Sequence, residues 1–126
     1  MKLKIKITQE VLEATKMCGI NKFMLEDSTN DTKNQNCAIT YACRKLFPDC
    51  CTGLTQIFGK FDDFEIANLP KKATDFIEQF DTSTPEERVK MKPFEFEVEL
   101  TEEVLDLISI DQITKVLEKS TTLEIV

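Results

Sequence analysis

Lys4-Ile5-Lys6-Ile7-Thr8-Gln9-Glu10-Val11-Leu12-Glu13, near the start, and Glu97-Val98-Glu99-Leu100-Thr101-Glu102-Glu103-Val104-Leu105-Asp106, near the end, share one pattern. Each begins as charged and apolar residues in strict alternation, the two-residue period of a strand with one buried face. Each then reaches a threonine suited to cap a helix, followed by one acidic residue in the first segment and two in the second, then a pair of aliphatic ones. The strands extend beyond the shared segment: Leu3, Ile5 and Ile7 alternate with Lys2, Lys4 and Lys6, and Phe94, Phe96, Val98 and Leu100 alternate with Glu95, Glu97 and Glu99. What differs is the sign of the outward charge. Opposite charges facing each other across a strand pair contribute about 0.2–1 kcal/mol each, and like charges oppose pairing. The two strands are therefore expected to be neighbours, within one chain or across a dimer. The shared segment is too short to establish a duplication.

Between them the signals are mixed. The polar stretch at 26–36 reads as a mobile loop within a single domain spanning 1–126. Asn36 is the expected cap of a helix carrying Ala38, Ile39, Ala42, Cys43 and Leu46, which Pro48 stops. Leu54 to Phe58 and Phe61 to Ile66 read as two strands around Gly59-Lys60. Pro70 fits the first turn of a helix whose apolar face is Ala73, Phe76, Ile77 and Phe80. Thr84-Pro85-Glu86-Glu87 has capping-box spacing with proline at the first helical position. Thr101 and Asp111 are the expected caps of two further helices, and Leu123 to Val126 reads as a short strand or a frayed tail. The fold class is α+β: a small, mainly antiparallel sheet packed against several short helices.

Composition narrows the function. The 126 residues carry a net charge of −7, which argues against direct nucleic-acid binding, because phosphate contacts need clustered cations. No apolar run approaches the roughly 20 residues of a membrane helix. The alternating start lacks the continuous apolar stretch of a signal peptide, so a cytoplasmic location is expected. Nine phenylalanines against one tyrosine and no tryptophan suit a core whose rings need no hydrogen-bond partner. Five cysteines, Cys50 and Cys51 adjacent, make a poor disulfide framework, so reduced thiols are expected.

The absence of histidine removes histidine triads and histidine-ligated catalytic zinc. Cys37 at a helix start has a dipole environment that could lower a thiol pKa, but a cysteine among alanines is usually a small core residue. Cys37, Cys43, Cys50 and Cys51 lack the two-to-four-residue spacing of a zinc site. Asp62, Asp63 and Glu65 form an acidic hairpin that reads as a solvated, aggregation-resistant edge before it reads as an acid/base or hard-metal site. No catalytic residue, metal or cofactor is therefore assigned. Arg44, Lys71 and Lys72 are the ligand-binding candidates: Lys71 and Lys72 open a helix, where exposed N–H groups favour anions, yet the ordinary role of such residues is solvated charge.

Three segments carry a resemblance: Cys37-Ala38-Ile39 with Ala42 and Arg44; Leu69-Pro70 with Ala73, Phe76-Ile77 and Phe80-Asp81; and Pro93-Phe94 with Phe96-Glu97. Together they resemble small open reading frames of tailed bacteriophages and mobile elements, especially of Bacteroides-type hosts. The chain departs from that arrangement in its polar stretch at 26–36 and in an added C-terminal helical region. The resemblance brings no activity and no site residues. It implies a phage accessory protein in the cytoplasm of the bacterial host or on the virion.

The leading expectation is thus a non-enzymatic interaction protein, bound to a capsid or host protein and open to self-association. A small-ligand binder or sponge for a nucleotide-type anion is the alternative. An enzyme using the acidic hairpin ranks below both.

Overall fold

The computed structural model describes residues 1–18, 38–48, 50–53, 55–59 and 65–126. The polar stretch at 26–36, Asn36, Cys37 and Asp62-Asp63 lie outside the described residues, as does the side chain of Cys51. In chain order the elements are β1 (Lys2–Ile7), α1 (Gln9–Thr15), α2 (Ala38–Cys43), β2 (Cys51–Thr52), β3 (Gln56–Phe58), β4 (Glu65–Asn68), α3 (Lys71–Asp81), α4 (Pro85–Val89), β5 (Phe94–Glu99), α5 (Glu102–Leu107), α6 (Ile110–Leu117) and β6 (Leu123–Ile125). The protein is α+β, with small antiparallel sheets packed against short helices.

One sheet has the order β5-β1-β6 and the other β2-β3-β4. The expected pairing of the first and last long strands is present: Lys2 faces Glu99, Lys4 faces Glu97 and Lys6 faces Glu95 across β1 and β5. The tail is a strand, and it takes the other edge of β1, placing Glu124 opposite Lys4. Lys6 Nζ lies 2.6 Å from Glu124, Lys4 Nζ 3.6 Å from Glu95, and the Met1 ammonium 2.6 Å from Glu99. The outer face of this sheet is a charge ladder whose lysines sit in the middle.

On the inner face Leu3, Ile5 and Ile7 are buried with Phe96, Val98 and Leu123, beside Val11 and Leu12 of α1 and Ile39 and Ala42 of α2. Burying one such aliphatic side chain contributes about 1.5–3 kcal/mol relative to leaving it in water. A one-residue slip of β1 would expose all three and bury lysines, so the alternation fixes the register.

The two sheets meet where Ala67 bridges Leu100. Thr101 N–H donates to the Ile66 carbonyl at 3.0 Å, and its hydroxyl donates to the Glu65 carbonyl at 2.6 Å. This corrects one expectation. Thr8 caps α1, accepting from Val11 N–H; Thr101 stands at the N-cap position of α5 as expected, but its hydroxyl turns to β4 and makes no capping bond. Other boundaries also move. α6 is capped by Ser109 with Gln112 completing a capping box, so Asp111 lies inside the first turn. Pro70 occupies the N-cap position of α3, and β4 runs two residues past Ile66. α2 ends at Cys43, before Leu46. The Thr84–Glu87 capping box forms as expected, with both reciprocal hydrogen bonds.

Among the described residues, no helix is long and apolar enough to cross a membrane.

Candidate functional site

The sequence candidates do not gather at one place. Lys71 projects into solvent with its side chain 90% exposed and pairs along the helix with Asp75 at 3.6 Å. Arg44 lines a cleft of about 240 Å³ with Tyr41, Lys45, Glu10, Thr8 and Thr122, between the starts of α1 and β6 and the end of α2. Lys72 belongs to a different region. Consecutive residues on a helix point about 100° apart, and here Lys71 turns to Asp75 while Lys72 turns to the Phe94 ring.

Lys72 stands between two clefts that follow β5 and α3. One, of about 350 Å³, is lined by Lys4, Pro70, Lys72, Glu95, Phe96 and Glu97. The other, of about 380 Å³, is lined by Lys72, Asp75, Phe76, Gln79, Met91, Lys92 and Phe94. The two clefts adjoin at Lys72 and follow one another along β5, a groove in two parts. The second part is aromatic: Phe94 packs on Phe76 with centroids 4.9 Å apart and on the buried Phe96 at 5.8 Å, and Lys72 Nζ lies 5.7 Å from the Phe94 ring centre. The periodicity of α3 explains the geometry. Ala73, Phe76 and Phe80 turn into the core, which leaves Lys72, Asp75 and Gln79 along the rim.

Glu65 of the acidic hairpin is engaged in the sheet: its side chain accepts from Gln56 Nε2 and its carbonyl from Thr101. Cys18, Cys43 and Cys50 are buried in the core. Among the described residues no three cysteine, aspartate or glutamate side chains are placed to hold a metal ion.

One charged residue escaped sequence reasoning altogether. Arg88, 2% exposed, donates from Nε to the Phe80 carbonyl at 2.8 Å and from Nη1 to the Lys16 and Cys18 carbonyls at 2.9 and 2.7 Å. Its guanidinium stacks 4.0 Å from the Phe80 ring centre. Lys16 is the C-cap of α1, Cys18 lies two residues beyond it, and Phe80 is in the last turn of α3, so one guanidinium ties two helix ends together. Burial pushes the guanidinium pKa down, partly offset by charges including Asp81. Loss of surrounding water likewise raises the Asp81 carboxyl, against the pull of Arg88. A five-residue helix with one aliphatic residue, Val89, cannot dock by apolar burial alone. That shortage was the available signal.

The carboxylates and ammonium groups around these clefts, Glu95, Glu97, Asp75, Lys4, Lys72 and Lys92, can form ion pairs and hydrogen bonds with a polar partner. Compared with known proteins, the chain matches no family model, no curated protein and no solved structure.

Proposed function

We propose that this is a non-enzymatic interaction protein of a phage or mobile element, working in the cytoplasm of its bacterial host or on the virion. The observation that supports the reading best is the pair of clefts along β5 and α3: aromatic rings at Phe76 and Phe94 beside side chains of mixed charge, a make-up that suits a protein-binding surface. The phage origin rests on the sequence resemblance. A sequence without histidine also favours binding over acid–base catalysis.

The test is an affinity pull-down of the tagged protein from infected cells, with mass spectrometry of both proteins and small molecules, beside an assay of purified virions. A capsid role gives co-purification with virions, and a host-directed role gives a soluble complex in lysate. Retention of a small molecule with no protein would overturn the reading.

The Arg44 cleft supports a second reading, a small anion binder, since Tyr41 and Lys45 share its lining. Glu10 in the same lining and the net charge of −7 oppose an anion there. Calorimetry against mono-, di- and cyclic nucleotides is expected to show no tight binding. Micromolar affinity abolished by Arg44→Ala would promote this reading over the first.

A further inference from the structure

We propose that the outer edge of β5, from Glu95 to Glu97, receives an extended basic segment of a partner protein as an added strand. This rests on the interaction reading and names the partner's chemistry.

The hydrogen-bond polarity of the sheet comes first. Lys6 N–H donates to the Thr122 carbonyl at 2.7 Å, and Val126 N–H donates to the Lys2 carbonyl at 3.2 Å. The even-numbered residues of β1 therefore bond toward β6. In an antiparallel ladder bonded pairs alternate, so Leu3, Ile5 and Ile7 bond to Val98, Phe96 and Phe94. The main-chain groups of Glu95 and Glu97 consequently point away from β1. β4 accompanies β5 only at its far end, through Ala67 and Leu100. Leu69-Pro70 then turns the chain into α3, and among the described residues no strand runs beside Glu95–Glu97. The 350 Å³ cleft opens at this place.

Charge selects the occupant. β5 carries three glutamates on one face, and β1 answers them on the inner edge with alternating lysines. Lys4 bonds Glu95 and the Met1 ammonium bonds Glu99, whereas Glu97 has no ion pair among the described residues. A strand with lysine or arginine at every second position would repeat on the outer edge what β1 does on the inner one. Its intervening apolar residues would face the side of Phe96 and Pro70. A second copy fits poorly: β5 against β5 sets glutamates against glutamates, and the β6 edge presents Glu124. Strand addition draws affinity from main-chain hydrogen bonds and specificity from alternate side chains. Glutamates and a proline also deter indiscriminate pairing at a free edge, which leaves it selective for a basic strand.

The probe is the peptide fluorescein-Gly-Lys-Val-Lys-Val-Lys-Val-amide, with a glutamate-for-lysine control carrying the same dye, titrated by fluorescence anisotropy against the whole protein. The basic peptide is expected to bind and to slow amide hydrogen exchange at Glu95 and Glu97; the acidic one is expected to do neither. Glu95→Lys with Glu97→Lys should weaken binding about tenfold or more, from two cross-strand pairs reversed in sign. Glu97→Pro removes an outward N–H without touching the bonds to β1, and should weaken binding similarly. The exchange measurement on the unaltered protein decides the matter if that variant fails to fold. No binding, binding without protection of Glu95 and Glu97, or an edge occupied by a second copy would each overturn the proposal. A partner retained equally by Glu97→Pro in the infected-cell pull-down would also overturn it while leaving the interaction reading intact. Retention of no protein at all would remove both.

Discussion

Replacing Arg88 should be the most damaging single polar substitution in the described structure. Its three hydrogen bonds join the ends of α1 and α3 to α4. Hydrogen bonds to charged groups contribute about 1.5–3 kcal/mol each, and a desolvated cation–π contact about 2. Simple addition overshoots, because two bonds share one nitrogen and the guanidinium gave up its water on burial. A net loss of about 3–5 kcal/mol for Arg88→Ala follows from buried carbonyls left without this donor, at about 1–3 kcal/mol each, together with the lost packing on Phe80. Against a total of about 5–15 kcal/mol, that is a large share of the stability. Arg88→Met keeps the packing of the aliphatic stem and should lose somewhat less. Arg88→Lys keeps the charge, but a single ammonium cannot fork between two helix ends, so about 1–3 kcal/mol should still be lost. Urea unfolding followed by circular dichroism gives the comparison. With slopes of about 1–3 kcal/mol per molar urea, the alanine midpoint should fall by about 2 M. A change within about 0.5 kcal/mol at unaltered slope, the size of an ordinary surface substitution, would refute the argument. So would full stability in Arg88→Met, which would reduce the role of Arg88 to packing.

Lys4→Glu places a carboxylate directly between Glu97 and Glu124; it should lower stability by up to about 1 kcal/mol, less at high salt, and an unchanged urea midpoint at low salt would contradict it. Thr84→Ala should cost about 1 kcal/mol through loss of the capping box, and the same titration checks it. Stability should fall at both ends of the pH scale. Glu124, Glu99 and Glu87 are held below the ordinary glutamate value by Lys6, by the Met1 ammonium and by the Thr84 N–H respectively. Their stabilisation is complete above the ordinary value and is lost as pH falls through the depressed folded-state values. Lys6, raised by Glu124, contributes fully below the ordinary lysine value and loses its contribution as pH rises through the raised one. Glu124→Gln should flatten both limbs in thermal melts at low salt, and unaltered limbs would dismiss the pair. Asp81 has the opposite sign: its raised pKa favours the folded state only at low pH, so Asp81→Asn should slightly raise the melting temperature at pH 7.

What could be read from the sequence was whatever rested on alternation and capping chemistry. β1, β5 and the Thr84 box were legible because each is local and repeated over several residues. Ser109 and Gln112 had the same legibility, since their spacing is that of a capping box; Asp111 drew attention only as a familiar capping residue. Thr101 was illegible in principle. Its local pattern equals that of Thr8, and only the arrival of β4 diverts its hydroxyl to Glu65. The candidate site fared likewise. Arg44 just past α2 and Lys72 in α3 are both cations near helix ends, and nothing in their neighbourhoods along the chain says that they line separate clefts. The groove itself depends on where α3 departs from β5, a tertiary fact.

The order of the three-stranded sheet can nevertheless be derived from charge. β1, β5 and β6 all alternate, and all can bury one apolar face, so hydrophobicity alone does not choose the middle strand. With β5 central, Glu124 would stand beside the glutamates of Phe94–Glu99 and the lysines would meet only one acidic neighbour. With β6 central, its three residues would leave most of both longer strands unpaired. Only β1 in the middle gives lysines carboxylates on both sides and keeps like charges two strands apart. The order β5-β1-β6 is the one observed. The same logic leaves both outer edges of this sheet negative. β6 is short and ends the ladder, whereas β5 offers the main-chain groups of Glu95 and Glu97 beside a cleft. An acidic edge, generated by the need to neutralise a central lysine strand, is thus where a basic partner strand would extend the same alternation by one more step.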